Sequence, residues 1–142
     1  MRPIGRIRLA GGIAVILLDT HTFVWWVSDR EQLSKTAREA LEQETGQLHL
    51  SVVSAWEVAL LYKKNRLELP MAPAVFLQRS MRRHTIRELP LTRQTALAAV
   101  ELPDIHNDPF DRILVAEAIA ARLTIVTKDS IIPDYPDVVT IW

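Results

Sequence analysis

An α/β fold, with helices on both faces of a mostly parallel sheet, is what this sequence predicts, and three features predict it. Short apolar, β-branched runs alternate with helix-length segments along the chain. The first run, Ala14-Val15-Ile16-Leu17-Leu18, is apolar throughout, as expected of a strand covered on both faces. Four carboxylates, Asp19, Glu57, Asp111 and Asp129, each stand just past such a run or in the first turn of an adjoining helix. In a parallel sheet those places share one edge, beyond the carboxyl ends of the strands, where open α/β sheets bind ligands.

The elements follow in order. The first run stops at Asp19-Thr20, and a helix is predicted over 20–27, with a second over 34–44. The segment 47–53 reads as a strand, and Ser54-Ala55-Trp56-Glu57 fits a capping box, Ser followed three residues later by Glu, which opens a helix over 54–65. Further helices are predicted over 72–83, 92–102 and 109–122. In the last, Asp108 suits the cap and Pro109 the first helical position. Strands are predicted over 86–89, 123–127 and 138–141, with Pro133 and Pro136 marking the loop before the final one. Neither an internal repeat nor a low-complexity tract is present.

Length and composition narrow the function. The chain has 142 residues, 49% of them hydrophobic, enough for one domain with a core shared by two helical layers. It has no cysteine, so disulfides, thiolate metal sites and cysteine nucleophiles are excluded, and a reducing compartment such as the cytoplasm is expected. Seventeen acidic and 17 basic residues cancel, so any nucleic-acid contact must come from a local patch. Residues 1–12 read as an N-terminal extension, disordered in expectation, ahead of a domain over 13–142. Arg2, Arg6 and Arg8 before an apolar run imitate a signal peptide, but no small-residue cleavage site precedes Asp19 and the run is too short to span a bilayer.

Each acid has a structural explanation of its own. Asp108 caps a helix, Asp111 gains from the helix dipole, Glu57 completes the capping box, Asp19 caps the next helix and Asp129 starts a turn. The joint placement asks for more. Four like charges at one edge raise one another's pKa values and destabilise the fold unless a cation neutralises them. Carboxylates without cysteine or paired histidines select a hard cation, Mg²⁺ or Mn²⁺, rather than zinc. Such ions suit phosphodiester hydrolysis.

Four segments resemble the acidic motifs of PIN-domain ribonucleases, specifically the VapC-like toxins of bacterial toxin–antitoxin pairs. They are Leu17-Leu18-Asp19-Thr20-His21, Ser51 through Glu57, His106-Asn107-Asp108-Pro109-Phe110-Asp111-Arg112 and Val126-Thr127-Lys128-Asp129. The resemblance runs from about Val15 to Trp142, and its third motif is the most specific. It implies a three-layer α/β/α sandwich (PIN-like) and an endoribonuclease that cuts single-stranded RNA with Mg²⁺ or Mn²⁺. It also implies restraint by a cognate antitoxin protein. Carried over residue by residue, Asp19, Glu57, Asp111 and Asp129 match the metal-binding acids, and Asp108 matches an acid of this subgroup. The extension before Val15 departs from the pattern, in which the chain starts almost at the first strand.

Other residues carry less weight. Thr20, Thr127 and Ser54 stand beside the acids and suit a water or phosphate oxygen, or simply a helix cap. Arg112 adjoins Asp111 and has two readings, an RNA phosphate contact or a partner for Asp108. His21 and His106 flank acidic motifs, with contact to RNA as the alternative reading, whereas His49 and His84 look incidental; an ordinary surface histidine is the preferred reading for each. Lys63, Lys64, Arg66, Arg82 and Arg83 end helices, where cations are favourable without any ligand. Trp25 and Trp26 are adjacent on a helix and point about 100° apart. Two readings follow: both rings are covered by neighbouring helices, or, as the resemblance implies, one lies beside Leu60-Leu61-Tyr62 at an interface, a homodimer seam or an antitoxin groove. Two rival functions compete: a non-catalytic protein- or RNA-binding module on the same fold, and a dehalogenase-like phosphatase. Against the latter, His21 stands where a second Asp is normal, two positions after Asp19.

Overall fold

The computed structural model describes residues 8–9 and 12–142. β1 (Arg8–Leu9) and β2 (Gly12–Ile13) pair antiparallel, and the rest of the expected extension lies outside the described residues. β3 (Ile16–Leu18) follows, then α1 (Thr20–Ser28), a 3₁₀ turn (Arg30–Gln32) and α2 (Lys35–Gln43). Next come β4 (Leu48–Ser51), α3 (Val52–Lys63), α4 (Pro73–Arg83), β5 (Arg87–Leu89) and α5 (Arg93–Glu101). The chain ends with α6 (Pro109–Ala121), β6 (Thr124–Val126), a second 3₁₀ turn (Ile132–Asp134) and β7 (Val139–Ile141).

Strands β3 to β7 form one five-stranded, all-parallel sheet in the order β5-β4-β3-β6-β7. From β3 the chain winds outward through β4 and β5, then returns to the other side of β3 as β6. That reversal leaves a crevice beyond the carboxyl ends of β3 and β6. Because α1, α3 and α6 each begin at this edge, their N-termini and positive dipole ends gather there.

Pleating sorts the apolar residues into two cores. Ile16 and Leu18 join Phe23, Leu41, Leu48, Leu50 and Phe76 on the face covered by α1, α2 and α4. Leu17 joins Leu114, Val115, Ile125 and Tyr135 on the face covered by α6. Both faces of β3 are thus sealed, which explains its uninterrupted apolar sequence. Truncating a residue as completely buried as Leu17 to Ala costs about 2–5 kcal/mol. No helix among the described residues is long and apolar enough to cross a membrane.

One predicted boundary moves by two residues. The structure starts α3 at Val52, because the Ser51 hydroxyl rather than that of Ser54 accepts the first free amide, Val53 N–H at 3.1 Å. Strand passes directly into helix, and Ser54 is buried in the first turn with its hydroxyl unpaired. Glu57 consequently falls in the second turn. The expected capping box does not form, and the Glu57 carboxylate is released for another partner.

Candidate active site

Asp19 ends β3 and caps α1. One carboxylate oxygen accepts the Thr20 amide at 2.7 Å and the other accepts the Thr127 hydroxyl at 2.6 Å. Burial pushes its pKa up, and the bonds from Thr127 and Thr20 offset only part of that rise. Glu57 points to the same edge from α3 and accepts the Thr20 hydroxyl. Its pKa is also raised, first by burial and then by the charges of Asp19 and Asp108.

The opposite wall comes from α6 and the segment after β6. Asp108 caps α6 by accepting the Phe110 amide at 2.8 Å, and Pro109 takes the first helical position, as the sequence predicts. Asp111, in the first turn, is pushed up to about 7 by burial and by the charges of Asp19 and Asp108. Asp129 accepts the amides of Ile131 at 2.7 Å and Ile132 at 3.0 Å through one oxygen. Burial alone would raise its pKa, but the His106 hydrogen bond and those two amides hold it below the ordinary value. Asp129 is therefore the acid best prepared to stay ionised.

His106, read from the sequence as an ordinary surface histidine, is buried between these acids. Its Nε2 lies 3.0 Å from Asp129 Oδ2 and 3.1 Å from Asp111 Oδ2. Its Nδ1 accepts the Asp108 amide at 3.1 Å, an assignment that puts the imidazole proton on Nε2. The ring thus faces both carboxylates as a donor. Burial opposes a second proton, yet the Asp129 hydrogen bond and the charges of Asp111, Asp129 and Asp108 outweigh it and raise the pKa. Taking that proton would cost the Asp108 amide its acceptor.

His106, Asp111 and Asp129 are, among the described residues, the one group of three or more that offers ligand atoms all within 4.8 Å of one another. Asp19 and Glu57 contribute no atom to that trio. They are tied to it by charge: Asp19 acts on Glu57 and Asp111, and Asp129 acts on Asp19 and Asp111. With Nε2 protonated, the donors open to an ion are carboxylate oxygens. That set fits a hard divalent cation.

The remaining residues sort by contact. Thr20 and Thr127 each give a hydroxyl to an acid, and Thr127 Oγ1 also accepts the Asp129 amide at 3.0 Å. Arg112 does not pair with Asp108, one of the two readings of it. Its guanidinium donates to the carbonyls of Ala99 and Leu102 at 2.9 Å and Pro103 at 3.0 Å, with Val100 and His106 at 3.3 Å. The free carbonyls ending α5 need donors, and the forked guanidinium supplies several at once. Arg112 so fixes the loop that carries His106 and Asp108. An open cleft of about 570 Å³, lined by Asp19, His21, Thr22, Trp25, Lys128 and Asp129, adjoins the acids. Of the two tryptophan readings the covered one holds: Trp26 is buried and Trp25 half-buried against Trp142, while the exposed indole belongs to Trp56.

Comparison with known proteins agrees with this architecture. The PIN domain family model matches residues 16–138. Ribonuclease VapC22 of Mycobacterium tuberculosis (strain ATCC 25618 / H37Rv) is 32% identical over 133 residues, spanning 92% of this chain and 100% of that protein. Three solved structures share the fold. VapBC2 of Rickettsia felis, bound to a DNA fragment from its promoter, matches with a TM-score of 0.64 at 16% identity, over 89% of this chain and 96% of that one. DNA-bound VapBC of Salmonella typhimurium gives 0.64 at 17% identity, over 91% and 98%. A toxin–antitoxin complex from Klebsiella pneumoniae gives 0.63 at 23%, over 88% and 96%. A five-stranded parallel sheet with acids converging at its carboxyl edge, a family model that covers most of the chain and a full-length relative lead to one conclusion: the chain belongs to the PIN-domain family.

Proposed function

We propose that this chain is an endoribonuclease that cuts single-stranded RNA with Mg²⁺ or Mn²⁺ and serves as the toxin of a cytoplasmic toxin–antitoxin pair, with residues 13–142 as the nuclease unit. The observation that carries the reading is the convergence of Asp19, Glu57, Asp108, Asp111 and Asp129, from the end of β3, from α3, from the start of α6 and from the segment after β6, into one field that burial makes costly. Asp19, Glu57, Asp111 and Asp129 are the residues assigned to hold the ion. A bound divalent cation acidifies water and offsets phosphate charge. Thr127 and Thr20 hold the Asp19 and Glu57 carboxylates in place, and His106 spaces Asp111 from Asp129. Lys128 and His21, in the cleft beside Asp19, are placed to meet the flanking phosphates of the strand.

The partners rest on weaker likeness. The solved relatives named above are toxin–antitoxin complexes, which supports an antitoxin partner here. On α5, Leu97 and Val100 are 62% and 72% exposed, an apolar face that suits a homodimer seam. The test is cleavage of labelled single-stranded RNA by protein stripped with EDTA. Activity should vanish, return with Mn²⁺ and be absent from Asp19→Asn. Cleavage that persists in EDTA, or an acid-stable phosphoenzyme, would overturn the reading.

A further inference from the structure

Trp56 leaves 56% of its surface in solvent and immediately precedes Glu57 on α3. Its ring centroid is 5.0 Å from that of Phe110, the residue before Asp111, with the planes inclined at 59°. Helices α3 and α6 are in contact, so the two rings meet where both helices begin. Successive helical residues point about 100° apart. With Glu57 turned inward to Thr20, Trp56 projects from a different side of α3, beside Phe110 and with more than half of its surface open.

The surroundings select what lies on it. Glu57 is turned inward to the Thr20 hydroxyl, on the side of Asp19, so the acids and the cation proposed for them take the phosphate, and the aromatic pair beside them is left for another part of the strand. The chain as a whole has no net charge. Uncharged contacts to the bases therefore add to those that the cation and Lys128 make with phosphate. Every base has a π-face, and stacking on an indole contributes about 1–3 kcal/mol per base whatever the sequence. We infer that Trp56, braced by Phe110, is the stacking platform for one unpaired base of the RNA strand, next to the phosphate held at the acids. The inference rests on the ribonuclease reading above and adds a substrate-positioning residue to it.

The test pairs a residue with a base. A single-stranded RNA oligonucleotide and a series of copies, each with one abasic position, are titrated by fluorescence anisotropy with Asp19→Asn protein in Mg²⁺, with and without Trp56→Ala or Trp56→Phe. Trp56→Ala should weaken binding of the intact strand by about 5- to 100-fold, and Trp56→Phe by much less. One abasic position should cause a similar loss in the Trp56 protein and no further loss in Trp56→Ala. In otherwise wild-type protein the change should appear in KM, with kcat within about threefold. Equal losses in both proteins at every abasic position would overturn the platform. So would Trp56→Ala that binds RNA normally but loses dimerisation or antitoxin binding, which would assign the indole to a protein interface. A wild-type protein that binds RNA with this pattern yet cuts none would sink the nuclease reading and leave the platform standing.

Discussion

The Thr127 hydroxyl donates to Asp19 at 2.6 Å while accepting the Asp129 amide at 3.0 Å, so one side chain fixes two acids that lie far apart in the chain. The bond stabilises the charged form of Asp19 and lowers its pKa against the effect of burial. Thr127→Val keeps the shape and removes the donor. Its RNA cleavage should fall about 10- to 100-fold, as for other residues that orient metal ligands, and the acid limb of the pH–rate profile should move to higher pH. Thr127→Ser should restore both. A Val variant with an unshifted profile would contradict the role.

Asp111 predicts a trade between activity and stability. Its ordinary pKa is 3.8 and its folded value about 7, so its favourable contribution is present below the first and lost as pH rises through the second. Asp111→Asn removes that loss. In metal-free buffer the variant should be more stable than wild type at pH 8 by about 1 kcal/mol or more, a few degrees in Tm, with little gain at pH 4. Mn²⁺ should raise the Tm of wild type and not of the variant, and the variant should cut no RNA.

Glu117 follows the same sign for a different reason. It is buried on α6, and burial pushes it up to about 7 against its ordinary 4.5, opposed only in part by the Ser51 hydroxyl. Glu117→Gln should stabilise the protein at pH 8 by up to about 3 kcal/mol and scarcely at pH 4. RNA cleavage should be unchanged, because none of the hydrogen bonds among the acids involves Glu117. Thermal melts at the two pH values decide it.

Arg112 is expected to act at a distance. Arg112→Ala strips donors from the carbonyls ending α5 and should cost about 2–3 kcal/mol, and Arg112→Lys should recover little, because a point charge cannot replace the fork. Activity should fall in parallel as the loop bearing His106 and Asp108 loosens. Full stability in the Lys variant would sink this account.

The parts of the site that could be read from sequence are those whose chemistry is local. Asp19 ends an apolar run, Asp108-Pro109 is a helix start and Asp129 precedes a turn, so each sits where its neighbours in the chain put it. The start of α3 was less legible because Ser51 and Ser54 both suit a cap, and only the packed strand decides between them. His106 lies in a loop without periodicity, and its burial depends on Tyr135, whose hydroxyl accepts its amide from 29 residues on. Its place two residues before a capping Asp was the available signal. Arg112 finds its carbonyl partners 6 to 13 residues upstream, across the loop between two helices. The exposure of Trp56 rather than Trp25 or Trp26 is likewise set by how the helices cover the sheet.

The central claim is that acids brought together by the sheet hold a divalent ion, and the most direct measurement is the anomalous difference map of a crystal soaked in Mn²⁺. The expected result is a peak in the crevice, at about 2.1–2.3 Å from carboxylate oxygens of at least two of Asp19, Glu57, Asp111 and Asp129. A crevice without a peak at saturating Mn²⁺, or a peak bound only by residues outside that set, would contradict it.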